Sequence, residues 1–597
     1  VQDRMFMGGR PGYEFFKSDS NYLYTICQWF PRMAMYNDVY GWQNKQFLGR
    51  GEFTLDFGDY DVRITVPADH VVAATGELQN SMEVLTKTQI DRMKQAKASD
   101  EPVIIITQNE AEKNEKSRSK KFKTWRYKAK NVRDFAFTSS RKFIWDAMGV
   151  KFGNRTVMAM SYYPKEANPL YERYSTRAVA HTLRVYSKYT FDYPYPVAIS
   201  VEANNGMEYP MICFNYGRPE KDGTYSERIK YGMISVIIHE VGHFYFPMIV
   251  NSDERQWTWM DEGLNSYLQF LAEQEWDREY PSRRGPPKNI VNYMKGNKNN
   301  LAPIMTNSES IYQFGNNAYG KPATALNILR ETIVGRELFD FSFKEYSKTW
   351  MFKHPTPSDL FRILENTSAV DLDWFWRGWF YGTDPVDLSI DKVTWFTLDT
   401  KNPEIEFALK KQNKDKEPIQ TWQESNKIDI QETVVETDEL ANDFYNKFDP
   451  YEVTILDKEE FNRYRDSSVV EPREKEIYNS NLNYYEIKFS NIGGLVMPII
   501  LQLEYADSTD HLIRIPAEIW KMNRDQITKI IATKKQVASF ILDPKLETAD
   551  IDLINNHWPR KMIQSKFELY KSKKYGRGKT SKENKMQRAN RAKERSN

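Results

Sequence analysis

Apolar positions recur along this chain with two different periods. From 228 to 246, and again after Asp261, the spacing is helical. Leu264, Tyr267, Leu268, Leu271 and Ala272 fall at the i, i+3, i+4 positions of a helix with one buried face. Ser226 and Glu227 offer a cap and an acidic first turn for the first of these helices, Pro247 stops it after Phe246, and Asp261 reads as the cap of the second. A third start is marked by Thr356 as cap, Pro357 in the first helical position and Asp359 in the first turn. The aromatic run Trp374-Phe375-Trp376-Arg377-Gly378-Trp379-Phe380 reads as packed core. Elsewhere the pattern is that of strands, over 50–66 and then in short runs at 393–397, 485–489 and 497–504 separated by Asp, Asn and Gly. A lysine-rich excursion at 81–121, expected to be helical and then loose, interrupts the first β-rich region, and a charged, poorly periodic segment at 412–482 interrupts the second.

The fold class implied is multidomain α+β. An N-terminal β-rich domain covers 1–163, a mainly α domain 164–385, a β-sandwich-like domain 386–558 and a basic tail 559–597. The length of 597 residues, at about 150 per domain, agrees with about four units. Val1 opens inside what reads as a β domain, so the expectation is a domain truncated at its start, with its first strands and any signal peptide upstream. No stretch reaches the roughly 18 apolar residues that cross a bilayer, since 234–238 and 495–503 are short and flanked by polar residues. The two cysteines, Cys27 and Cys213, lie in apolar stretches and read as buried thiols rather than a disulfide framework.

Charge changes the picture only at the end of the chain. Residues 571–597 hold eleven Lys and Arg against two Glu, so the overall +2 leaves the body at −7. An acidic body favours encounter with cationic peptide N-termini. The tail, poor in large apolar residues, is expected to be disordered, and it lacks the interleaved aromatics of a single-strand nucleic-acid binder. No nucleic-acid partner is expected, and nothing in the pattern fixes an oligomeric state.

The candidate chemistry lies in His239-Glu240-Val241-Gly242-His243, followed by Glu262. With seven histidines in the chain, an HExxH string is expected by chance about 0.006 times. Imidazoles four apart on a helix share one face and can reach one ion. Glu240, one position round, is aimed beside the ion rather than at it. Two histidines and the carboxylate of Glu262 leave a fourth position open, which is the arrangement of a catalytic zinc site with one Zn2+ per chain. Hydrolysis of a peptide-like bond is the natural use, with Glu240 as general base and then acid.

This motif, its spacer and Trp259-Met260-Asp261-Glu262-Gly263 resemble the zinc aminopeptidases of the aminopeptidase N type, a branch of the gluzincins. Asn205-Gly206-Met207-Glu208-Tyr209 is similar to the family's Gly-x-Met-Glu-Asn strand, and Tyr319-Gly320-Lys321 to its Tyr-x-Lys element. Asn131-Val132-Arg133-Asp134-Phe135-Ala136-Phe137 and Pro194-Tyr195-Pro196 also resemble family landmarks. The resemblance covers roughly residues 50–385 and implies a bacterial member with a saddle-like N-terminal β domain and a thermolysin-like catalytic domain. It implies that Glu208, with Gly206 and Met207, binds the free α-amine of peptide substrates, that Tyr319 donates to the oxyanion, and that the enzyme is exported to the periplasm or cell envelope. Tyr312 is the reserve donor. Three departures stand out: Tyr209 replaces the usual asparagine, Asn205 the first glycine, and Pro322 the glycine after the lysine, where it bears on how the Tyr319 loop enters its helix. No array like the family's helical C-terminal domain is legible, so a more open site is expected. A zinc endopeptidase with the same metal set, and a non-catalytic envelope scaffold with a relict zinc site, remain as alternatives.

Overall fold

The structure, a computed structural model, describes residues 12–52, 54–467, 482–561 and 583–596. It is a mixed assembly of sheets and helices. The N-terminal region contributes a four-stranded antiparallel sheet (Gly12–Phe16, Asn21–Ile26, Phe137–Ser140, Val71–Ala74) and a three-stranded one built on the long pair Gly58–Pro67 and Phe122–Val132. The excursion at 81–121 is more regular than its composition suggests. Thr86 with Gln89, and Thr107 with Glu110, form capping boxes that start helices Lys87–Ala98 and Gln108–Ser117. Between them Val103–Ile106 is a strand, because Ile105 and Ile106 find a buried face to cover.

A six-stranded mixed sheet carries one wall of the site, in the order Met207–Tyr209, Ile212–Asn215, Val197–Glu202, Arg155–Tyr163, Ile144–Phe152, Val103–Ile106. Strands on both sides of residue 163 share one hydrogen-bonded ladder, so this sheet runs across the expected boundary. Helix Leu170–Tyr189 makes the crossover between the parallel strands Arg155–Tyr163 and Val197–Glu202, since parallel neighbours need such a connection. It then packs against helices Glu227–Gly242 and Thr258–Trp276. The stripe read from the sequence is buried as a whole: Leu264, Tyr267, Leu268, Leu271 and Ala272 all lie in the core. Phe375, Trp376, Trp379 and Phe380 are buried too, with Trp376 stacked on Phe361 at a 4.3 Å centroid separation. Helix Pro357–Ser368 starts at the expected box, Asp359 accepting from the Thr356 N–H at 2.9 Å.

Toward the C-terminus, strands Leu388–Thr397, Asn483–Asn491 and Gln526–Thr533 form one sheet, and Asp510–Ile515, Ile499–Tyr505, Val537–Leu542 and His557–Trp558 another. Ile487, Phe489, Leu501, Leu503 and Phe540 are buried, and the Tyr485 and Phe540 rings meet at 5.3 Å. The charged segment between the first two strands folds into short helices, among them Pro403–Asp415 and Thr421–Asp429, where Asn402 caps the first and a Gln420–Gln423 box starts the second. The tail departs from expectation. Residues 562–582 lie outside the described part, but Lys585–Ser596 is a helix rather than a disordered extension. Asn584 and Gln587 cap it reciprocally at 2.9 Å each, and Asn584, Lys585 and Gln587 bond Thr224, Glu227 and Asp222. The local cap and these polar anchors outweigh the lack of large apolar residues. Cys27 and Cys213 are buried thiols. Among the described residues, no helix is long and apolar enough to cross a membrane.

Candidate metal centre and active site

Ser226 starts the motif helix as expected, accepting from the Ile229 N–H at 3.2 Å. The helix ends at Gly242 rather than at Phe246, because the chain folds back until the Phe246 carbonyl lies 2.8 Å from His243 Nδ1. His243 still keeps helical dihedrals and donates its N–H to the His239 carbonyl at 3.1 Å, so both imidazoles project from one face. Gly242 is demanded by packing: a Cβ there would lie 2.1 Å from Asn265 Oδ1 and 2.3 Å from the Tyr186 hydroxyl.

The second helix begins at Thr258, so Asp261 is not its cap. Burial of Trp259 against Phe361 and Phe380 carries the helical turn further upstream. Asp261 is freed for another contact, its Oδ1 lying 2.8 Å from His243 Nδ1. Glu262 sits one residue on and faces the histidines. Its Oε2 is 3.0 Å from His239 Nε2 and 3.3 Å from His243 Nε2, and the two Nε2 atoms are 3.1 Å apart. A tetrahedral ion with bonds of about 2.0–2.1 Å would space its ligands about 3.3 Å apart, so the three atoms fit such an ion. The outer ring nitrogens agree with this. His239 Nδ1 meets Gln269 Oε1 at 2.9 Å, and His243 Nδ1 meets Asp261 and the Phe246 carbonyl, which leaves both Nε2 lone pairs turned inward. Lone pairs and a carboxylate crowded this closely repel one another unless a proton or a metal ion sits among them.

Electrostatics in the pocket follow from burial and from this crowding. Burial, then the neighbouring His243, draws the His239 pKa down. Burial would do the same to His243, but the carboxylates of Glu208, Asp261 and Glu262 outweigh it and hold that pKa well up. Burial also opposes ionisation of Glu262, yet the two imidazoles keep its pKa below the ordinary carboxylate range. The Glu240 carboxyl is pushed well above its usual value by burial and then by Glu208.

Glu208 lies on the edge strand Met207–Tyr209, opposite Cys213 in the ladder, and is 5% exposed. Gly206 precedes it with its backbone against the base: a Cβ there would come within 3.1 Å of Glu240 Oε1. Tyr209, in place of the usual asparagine, is buried near Phe214. Tyr319 stands in the π-helical segment Gly315–Gly320, which runs straight into helix Lys321–Ile328, and Pro322 falls at the second position of that helix, at the junction of the two. Its ring stacks on His239 at 5.7 Å and its hydroxyl donates to Glu262 Oε1 at 2.5 Å. The reserve residue Tyr312 is 58% exposed and lines neither of the two cavities at the centre.

Those cavities share His239, Glu240 and Tyr319. The smaller, about 250 Å³, also holds Gly206, Met207, Glu208, His243 and Glu262, with Glu52 on its wall. The larger, about 620 Å³, extends the other way along the motif helix toward Glu273 and Arg284. The structure brings Gly206, Met207, Glu208, His239, Glu240, His243, Glu262 and Tyr319 to this centre and leaves Tyr312 outside it, and it adds Glu52, Gln269, Arg284 and the contact of Asp261 with His243. Gln269 and Asp261 share the ligand helix with Glu262, so helical phase could have found them. Glu52 and Arg284 come from loops that carry no such signal.

Two imidazoles from one helix and a carboxylate from the next, with a buried glutamate beside them, form a group that could hold one metal ion. Residues 174–379 match the Peptidase family M1 domain. It is 28% identical over 228 residues to endoplasmic reticulum aminopeptidase 2 of Homo sapiens, covering 36% of this chain and 23% of that protein. It is 25% identical over 213 residues to aminopeptidase N of Streptomyces lividans, covering 32% and 24%. The chain thus spans about a quarter of the length of these relatives. In fold it resembles Legionella pneumophila aminopeptidase A, solved in complex with aspartic acid, with a TM-score of 0.50 and 11% identity over 90% of this chain and 48% of that one.

Proposed function

We propose that this chain is a zinc-dependent aminopeptidase, with a saddle-like N-terminal β domain, a thermolysin-like catalytic domain that ends near 385 and whose sheet reaches back across residue 163, and a β-sandwich-like domain over 386–558. The observation that carries the reading is the small cavity, in which Glu208 and Glu52 place two carboxylates beside the His239, His243 and Glu262 set. A carboxylate pair at that end suits a protonated α-amine and has no evident use in cutting the middle of a chain. His239, His243 and Glu262 would hold one zinc ion, which when bound supplies Lewis acidity that polarises a carbonyl and acidifies water.

The protein's own groups do the rest. Glu208 and Glu52 fix the N-terminus, so the first peptide bond falls at the metal set. Glu240, its proton affinity raised by burial and by Glu208, takes a proton from the attacking water and delivers it to the departing amine. Tyr319 moves its hydroxyl from Glu262 to the oxygen that gains charge. Asp261 and Gln269 hold the imidazoles through their Nδ1 atoms. The test is release of a reporter amine from aminoacyl and from N-acetylated aminoacyl substrates, before and after chelation. Activity on the free amine alone, abolished by chelator and restored by zinc, is expected. Equal activity on both substrates would instead indicate an endopeptidase, and none on either a relict site.

A further inference from the structure

Beyond Tyr319, away from the carboxylates of the amine end, the larger cavity has Arg228, Arg283 and Arg284 in its lining, together with Glu227, Glu240 and Glu273. Arg284 enters it from the loop after helix Thr258–Trp276, with Arg283 beside it and Arg228 on the motif helix. The Arg284 guanidinium lies 4.0 Å over the Tyr319 ring and gives one hydrogen bond, to Ser266 Oγ at 3.2 Å. Among the described residues it has no carboxylate within the 4.0 Å of an ion pair. Glu262 and then Glu273 act on its charge through space, and Glu273 is already engaged: Ser235 and Gln269 donate to one oxygen at 2.8 Å each, and Ser282 donates to the other at 2.5 Å. Burial draws the Arg284 pKa down from its ordinary value, yet a guanidinium remains charged in proteins. A cation with most of its donors unspent, facing a cavity of about 620 Å³, is an anion receptor, and its planar fork suits a carboxylate.

The scissile bond therefore lies between a chamber lined by Glu208 and Glu52 and one that the Arg284 guanidinium enters. Glu208 and Glu52 face one side of His239, Glu240 and Tyr319, and Arg284 faces the other. We propose that the larger chamber is a carboxylate subsite for the leaving side of the substrate, with Arg284 binding either the C-terminal carboxylate of a dipeptide or an acidic side chain in the second position. The two sources share one chemistry and differ only in reach. The assignment rests on the aminopeptidase reading for its orientation, the amine end being the Glu208 chamber.

Binding can be measured without turnover in the zinc-loaded full chain carrying Glu240→Gln, by calorimetry with Ala-Ala against Ala-Ala-amide and Ala-Glu-amide against Ala-Gln-amide. At least one acidic member should bind about tenfold or more tighter than its neutral partner, the range of a charged hydrogen-bonded pair. The first pair identifies a C-terminal carboxylate and the second a side chain. Arg284→Gln in the same background should bring the ratio to near one, and Arg284→Lys should keep part of it. Equal binding within both pairs overturns the proposal without any Arg284 variant. Hydrolysis of alanine p-nitroanilide by the unmutated chain, a substrate with no carboxylate, reads the aminopeptidase assignment separately. If that substrate is cut and the ratios are flat, only the subsite falls. If it is not cut and the ratios hold, Arg284 remains a carboxylate site, and its assignment to the leaving side falls with the aminopeptidase reading.

Discussion

The Tyr319 hydroxyl donates to Oε1 of Glu262 at 2.5 Å, while Oε2 of the same carboxylate faces both imidazoles. The group assigned to the oxyanion thus rests on the group assigned to the metal. One carboxylate links the two functions, and the phenol, its pKa raised by burial and then by Glu262, stays protonated and able to donate.

Tyr319→Phe removes that donor and little else, since the ring contacts with His239 and Arg284 survive. The expected outcome in steady-state kinetics on an aminoacyl reporter is a kcat lower by about 10²–10³ with KM little changed. Equal losses in kcat and in substrate affinity would instead make Tyr319 a binding residue.

Glu208→Ala tests the amine anchor. Its carboxylate is buried at the end of the small cavity, and its loss should weaken free-amine substrates by more than about tenfold in kcat/KM while leaving N-acetylated ones at their low level. A parallel fall for both substrates would place the anchor elsewhere.

Metal removal should destabilise the fold, because the folded chain brings His239, His243 and Glu262 together to hold an ion and the unfolded chain has no such preformed set. Free zinc at a thousand times its Kd adds about 4 kcal/mol by mass action. Thermal unfolding should therefore move to lower temperature in chelator and recover with one equivalent of zinc. A midpoint indifferent to chelator would contradict a bound ion.

Asp261→Asn weakens the grip on His243 from behind. Partners of this kind cost about 10–100-fold in metal affinity when lost, a change read by competition with a chromogenic chelator. Unaltered zinc affinity would reduce Asp261 to a packing residue.

Stability should depend on pH through Asp146, which lines neither cavity at the centre. It is buried, accepts hydrogen bonds from the Tyr163 and Thr176 hydroxyls, and is pushed by burial from 3.8 up to about 7. The folded chain then holds a proton that the unfolded chain releases, so this group's contribution falls as pH rises from the unfolded value toward the folded one, and levels off above it. Asp146→Asn carries no such proton. The difference between the unfolding temperatures of variant and parent should grow in the variant's favour from about pH 5 to about pH 8. A difference that does not change over that range would show that Asp146 is not the titrating group.

What the sequence determined by itself was local and periodic. The four-residue spacing of His239 and His243, the stripe from Leu264 to Ala272 and the Thr356 box each carry their geometry in a few consecutive residues, because a helix converts spacing into direction. Motif resemblance added Glu208 and Tyr319. Helix ends were less legible: Trp259 and the Phe246 carbonyl moved two of them through contacts with distant or folded-back chain. The tail misled for a related reason, since its composition lacks a core but its cap and its bonds to Asp222, Thr224 and Glu227 supply order. Only the tertiary structure put Glu52 beside Glu208, turned Asp261 onto His243 and left Arg284 facing an open chamber. Such pairings join loops and helices far apart in the chain, and no period in a sequence encodes which of its distant charges will meet.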